Sequence, residues 1–178
     1  MPLNVQLLQT GRIWKFGDDV NTDLIQPSAA FRLPEDEQHR MAFSSIRPDW
    51  IGRVRAGDIL IAGANFGVGS GRRIGAFLRA CGITGLVAES INGLGLRNCI
   101  NFALPAIECP GVTSLFEEGE TARIDFNLGK VENVTQGTSL VGRPLNDLFK
   151  EILLAGGIVE MLIRNGQIEP VPTNAQSQ

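Results

Sequence analysis

The chain has little of what most cofactor sites are built from. It holds three cysteines, Cys81, Cys99 and Cys109, and one histidine, His39. The cysteine count is odd and no C-x-x-C pair exists, so no disulfide framework is expected and a reducing compartment is the simplest reading. Three scattered thiols and one imidazole do not make the ligand set of a zinc or iron–sulfur site, so metal chemistry would have to come from another chain. A basic excess is also missing. Sixteen Lys and Arg face 19 Asp and Glu, for a net charge of −3. That argues against a nucleic-acid or anionic-membrane surface. No apolar run approaches the ~20 residues that span a bilayer. The opening "MPLNVQLLQTGRIWKF" lacks the charged and apolar regions of a secretory signal. The expectation is a cytoplasmic protein with neither nucleic acid nor membrane as partner. Internal repeats and low-complexity linkers are absent as well.

What is present is one domain's worth of core, with 43% apolar residues in a chain of 178. A single domain is expected over residues 1–168, and "EPVPTNAQSQ" (169–178) reads as a disordered tail. "GDILIAG" (57–63) is an apolar run bounded by glycines, the pattern of a buried strand. After a loop, Ile74, Phe77, Leu78 and Cys81 recur at helical spacing. Ser70 reads as the helix N-cap and Gly82 as its stop. "GLVAES" (85–90) is a second strand, and the three elements together form a right-handed βαβ unit. Further strands are expected in "GRIWKF", "LPAIEC", "TARIDF" and "KVENVT". Further helices are expected over 94–102, in "LNDLFKEILLAGG" and in "IVEMLIRNG". The fold class is α/β with a largely β periphery.

The loop "ANFGVGSGRRIGAF" (64–77) places Arg72 and Arg73 where that helix is expected to begin. Cations at the positive end of a helix dipole are unfavourable by ~0.3–1 kcal/mol, so an anion is expected nearby. Glycines 67, 69 and 71 let backbone approach a ligand closely. If Ser70 caps the helix, the free N–H groups of residues 71–73 make an anion site. A capping box would need Glu or Gln at position 73, where Arg73 stands. The bland alternative is a capping serine beside two solvated arginines. A dinucleotide site is a third reading, with Gly67-x-Gly69 after a strand and Glu89 about 20 residues on. It is weakened by Arg72 or Ile74 at the final glycine position.

Three ordered motifs, "GDDVNTDLIQP", "GDILIAGANFGVGSGR" and "AES…LRNCINFALPAIEC", resemble the small subunit of 3-isopropylmalate dehydratase. That subunit is the separate-chain version of the swivelling domain of aconitase-type hydro-lyases. The resemblance covers residues 11–110. It implies a three-layer β/β/α swivelling-domain fold around a partly parallel sheet. It also implies a separate large subunit carrying a [4Fe-4S] cluster, with none bound by this chain, and a small 2-hydroxy di- or tricarboxylate as substrate. Ser70 resembles the serine that removes a proton from carbon. Arg72 resembles the arginine that clamps a substrate carboxylate, and Asp23 the aspartate that orients a general-acid histidine of the large subunit. Arg32, in "AAFRL", resembles a second carboxylate arginine. The family's usual Gly-Ser-Ser-Arg-Glu-His reads here Gly69-Ser70-Gly71-Arg72-Arg73-Ile74. One hydroxyl is lost and one charge inverted, and Gly71 keeps only its backbone N–H for the substrate. These departures imply a divergent paralogue. The alternative is a non-catalytic binding or regulatory subunit that keeps the fold around a degenerate site.

Overall fold

Short runs of consecutive apolar residues dictate the centre of the fold. In β2 (Ile59–Ala62) and β3 (Gly85–Ala88) every residue is buried, as a sheet covered on both faces requires. The computed structural model describes residues 5–170 and arranges seven strands in the order β4-β3-β2-β1-β5-β6-β7. β1 (Leu8–Lys15), β2, β3 and β4 (Ala106–Glu108) pair in parallel. β5 (Thr121–Asp125), β6 (Lys130–Asn133) and β7 (Thr138–Val141) continue the sheet antiparallel. β1 serves both halves: Leu8 to Arg12 pair with β5, and Ile13 to Lys15 pair with β2.

The two-residue side-chain period then sorts the strands into two cores. Leu60, Ala62, Leu86, Ala88 and Ala106 face α2 (Ile74–Ala80) and α3 (Gly93–Asn101). Ile59, Ile61, Val87 and Ile107 face the opposite way. They meet Ala122, Ile124 and Val131 of the antiparallel strands. Residues of α5 (Asp147–Ala155) and α6 (Ile158–Arg164) join that second cluster, and α1 (Thr22–Ile25) and α4 (Val112–Leu115) complete the helices. Helix, parallel sheet and antiparallel sheet are the three layers that the resemblance implies. Each fully buried Ile, Leu or Phe contributes ~1.5–3 kcal/mol. Between β1 and β2 the chain forms 3₁₀ turns. They carry Phe43 and Trp50 onto Trp14 and Phe16, with an edge-on Phe43–Trp50 contact at 4.9 Å.

Gly82 ends α2 at φ +96°, with Gly82 N–H on the Arg79 carbonyl and Ile83 N–H on the Leu78 carbonyl, as its position in the sequence suggests. Two expectations change. β7 is a strand that "TSLV", polar and largely exposed, does not announce. The start of α2 lies at Ile74, four residues after Ser70. The expected tail falls on residues of which 171–178 lie outside the described ones. No helix among the described residues is long and apolar enough to cross a membrane.

Candidate active site at the ends of the parallel strands

The chain leaves β1 and β2 at the same edge of the sheet, and the two exiting loops zip together. Asp19 N–H donates to the Ala64 carbonyl, Gly67 N–H to Val20 and Thr22 N–H to Val68, at 2.8–2.9 Å. Asp18 accepts from Ala64 N–H at 2.7 Å. Open parallel sheets bind ligands at this carboxyl edge. Gly67, at φ +73°, also lies against Gly95 of α3, where a Cβ on Gly95 would meet the Gly67 carbonyl oxygen at 2.9 Å. A side chain at either glycine would push loop and helix apart.

The zipper delivers Ser70 to Thr22. Ser70 N–H donates to Thr22 Oγ1 at 3.0 Å, and the two hydroxyl oxygens lie 3.3 Å apart. Because Thr22 Oγ1 already accepts from the Ser70 amide, its own proton is free to point at Ser70 Oγ. Either hydroxyl can donate to the other across this contact. Thr22 is buried and Ser70 exposed. Thr22 lies beside Asp23 in "GDDVNTDLIQP", where no local pattern marks it as a partner of Ser70.

Ser70 does not cap α2, which corrects the sequence expectation. Arg73 occupies the cap position with no side-chain hydrogen bond. Residues 70–74 form two successive tight turns, Arg72 N–H to the Ser70 carbonyl and Ile74 N–H to the Arg72 carbonyl. Asn98 Oδ1 accepts from Gly75 N–H at 3.0 Å, satisfying a donor that a local cap would have taken. The expected row of outward N–H groups at a helix start is therefore not formed.

Each arginine of the loop also has an anion from its own chain. The Arg72 guanidinium lies 2.5 Å from Asp23 and donates to the Gln26 carbonyl at 2.6 Å and to Ser28 Oγ at 3.1 Å. Its side chain is 14% exposed, and that of Asp23 61%. Arg73 pairs with Glu35 at 3.0 Å and stacks over Phe102. Ser70, Gly71, Arg72 and Asp23 thus converge. Arg32 does not join them: it is exposed at the end of a 3₁₀ turn, outside the cleft wall. Gly71 is exposed, with open space where a Cβ would stand.

Ser70, Gly71 and Arg72 open onto a cleft of about 900 Å³ that runs along α2 to His39. Glu89 faces elsewhere. It accepts from Gly111 N–H and from Thr113 N–H and Oγ1, holding the start of α4. Burial raises its pKa, and those bonds outweigh that and bring it below the ordinary carboxylate value. A carboxylate so occupied has no free edge for a ribose, which removes the support for a dinucleotide site. All three cysteines are buried and none lines the cleft. Burial pushes the Cys81 and Cys99 thiols up to about 12 and raises Cys109. These residues do not fit an iron–sulfur cluster.

No protein-family model matches the chain. It is 39% identical to 3-isopropylmalate dehydratase small subunit 1 of Methanopyrus kandleri, over 88% of this chain and 93% of that one. It is 38% identical to the isopropylmalate/citramalate isomerase small subunit of Methanocaldococcus jannaschii, over 85% and 92%. A crystal structure of 3-isopropylmalate dehydratase from M. jannaschii superimposes with a TM-score of 0.83 at 30% identity, covering 89% of this chain and 95% of that one. The ordered motifs, the layered fold and these relatives agree: the chain belongs to the family of 3-isopropylmalate dehydratase small subunits, a hydro-lyase family.

Proposed function

We propose that the chain supplies the base and the carboxylate clamp of a cytoplasmic two-subunit hydro-lyase that isomerises a 2-hydroxy di- or tricarboxylate such as isopropylmalate. The observation that carries this reading is the convergence of Ser70 and Arg72 on Thr22 at the carboxyl edge of the parallel strands. Ser70 Oγ takes the proton from the substrate carbon. The Thr22 hydroxyl and the nearby guanidinium stabilise the oxygen anion that does so. Arg72 receives a substrate carboxylate through its two-pronged edge, exchanging the Ser28 and Asp23 contacts for it. The Gly71 amide adds a donor, while Arg32, outside the cleft wall, takes no part in this reading. Asp23, more than half exposed, faces the large subunit and orients its general acid.

The partner is a large subunit that holds the [4Fe-4S] cluster, since the buried thiols of this chain are unsuited to it. When bound there, the cluster supplies a Lewis-acidic iron for the departing hydroxyl. Neither nucleic acid nor membrane enters the reading. The test is Ser70→Ala in a reconstituted complex with isopropylmalate. The expected kcat falls roughly 10²–10⁴-fold, the range for a positioned acid–base group. Turnover at the wild-type rate would remove Ser70 from the chemistry.

A further inference from the structure

No side chain of its own segment caps α2. Arg73 stands at the cap position without a side-chain hydrogen bond, and Gly71 and Arg72 have no side-chain oxygen to give. The nearest upstream residue that has one is Ser70, and serine is among the preferred caps. The segment therefore has a competing state: α2 extended back to Gly71, with Ser70 Oγ accepting from the Arg73 amide. A hydroxyl spent in that way is withdrawn from Thr22 and from the cleft.

α3 holds the segment in the state observed. Asn98 Oδ1 accepts from Gly75 N–H at 3.0 Å. Gly75 is the second residue of α2, and its amide is one that a capping side chain ordinarily takes. The reach is short because the helices touch there: a Cβ on Gly75 would stand 2.8 Å from Cys99 Cα. Three residues earlier on α3, Gly95 lies against Gly67. Residues three apart share a helix face, so one face of α3 pins the segment 67–75 at both ends. Between the pins Ser70 meets Thr22, and the Arg73 amide has no backbone partner among the described residues.

We propose that Asn98 is a positioning residue for Ser70. By capping α2 from a neighbouring helix it stops that helix from growing back to Gly71, and it leaves the serine hydroxyl at Thr22, on the cleft. This inference rests on the reading of Ser70 given above. The bond uses the oxygen of the Asn98 amide, so a carboxylate at that position serves and a methyl group does not.

The experiment sets Asn98→Ala and Asn98→Asp beside Ser70→Ala in the complex reconstituted with isopropylmalate. Asn98→Ala is expected to lower kcat about 10²-fold, the cost of misplacing a reacting group by about 1 Å. KM should move by no more than about threefold, because the Arg72 side chain keeps the Gln26 carbonyl. Asn98→Asp should stay within about threefold of wild type in both. Hydrogen exchange in the isolated chain reads the same switch without activity. The Arg73 amide should exchange at least about tenfold more slowly in Asn98→Ala than in wild type, and adding Ser70→Ala should abolish that protection. Wild-type kcat in Asn98→Ala beside a slow Ser70→Ala would overturn the positioning role alone. So would a fall in kcat shared equally by Asn98→Asp, or an unchanged exchange rate at Arg73. Turnover at the wild-type rate in Ser70→Ala would overturn both this inference and the reading beneath it.

Discussion

Two arginine–aspartate pairs of equal length serve different ends. Arg12–Asp58 and Arg72–Asp23 both close at 2.5 Å. The Asp58 side chain is 6% exposed and that of Asp23 is 61% exposed. Asp58, just before β2, also accepts from Trp14 Nε1 at 2.7 Å and from the Arg55 amide at 2.9 Å. Its oxygens are committed, and Arg12, Arg47 and Arg53 crowd around the Trp14 ring. At the other end of β2, Arg72 is the more buried partner and the carboxylate is the one in water. A carboxylate in water is replaceable by a carboxylate on a ligand, whereas one held by three donors is not. Distance alone does not tell a structural pair from an exchangeable one. The exposure of the acid does.

The difference has measurable consequences. Asp58→Ala leaves the buried Trp14 indole N–H without its acceptor and takes the carboxylate from a partly exposed Arg12, and should cost about 1–3 kcal/mol in denaturant melts. The kcat of the folded complex should be unchanged. A loss below 1 kcal/mol would put the two pairs in the same class. Acid sharpens the contrast. Burial pushes the Asp58 carboxyl up, and the bonds from Arg12, Arg55 and Trp14 more than reverse this, so its folded pKa lies below the ordinary value. A depressed carboxyl pKa contributes stability that is fully present above the unfolded value of ~3.9 and is lost as the pH falls through the folded value. The stability gap between wild type and Asp58→Ala should therefore narrow below about pH 4, as urea titrations across that range will show.

At the exchangeable pair, Arg72→Lys keeps a charge and loses the two-pronged edge. KM should rise about tenfold, or ~1.4 kcal/mol, with less effect on kcat. A stability loss larger than the kinetic one would make Arg72 a structural residue like Arg12. The smallest effect is expected of Asp23→Asn, no more than ~1 kcal/mol in folding, because an exposed ion pair contributes little. That is a few degrees at most in a thermal melt.

The layers of the fold were legible because burial writes itself locally. "ILIA" and "GLVA" are solid apolar runs, α2 has a helical stripe, and Gly82 supplies the left-handed stop. The motifs single out Ser70, Gly71, Arg72 and Asp23, which lie on the two loops that meet at the carboxyl edge of the sheet. What stayed hidden was set by distant residues. The start of α2 depends on Asn98, 23 positions away, and the loop's anions are Asp23 and Glu35, 49 and 38 positions away. No local pattern could tell that Ser70 would be drawn to Thr22 instead of capping the helix that follows it. β7 was hidden for another reason: a four-residue edge strand with one wet face carries almost no periodicity.

The division of β1 between two partners also governs the order in which this chain acquires its shape. Ile13 to Lys15 find β2 about 46 residues downstream, but Leu8 to Arg12 wait for β5, more than a hundred residues later. Closing so long a loop is slow, and the waiting segment presents unpaired N–H and C=O groups meanwhile. As the polypeptide leaves the ribosome, the parallel core and the Ser70 loop can assemble well before the antiparallel layer has been synthesised. A nascent chain with its first 110 residues free of the ribosome would carry most of the candidate site's edge while its first strand was still half-paired.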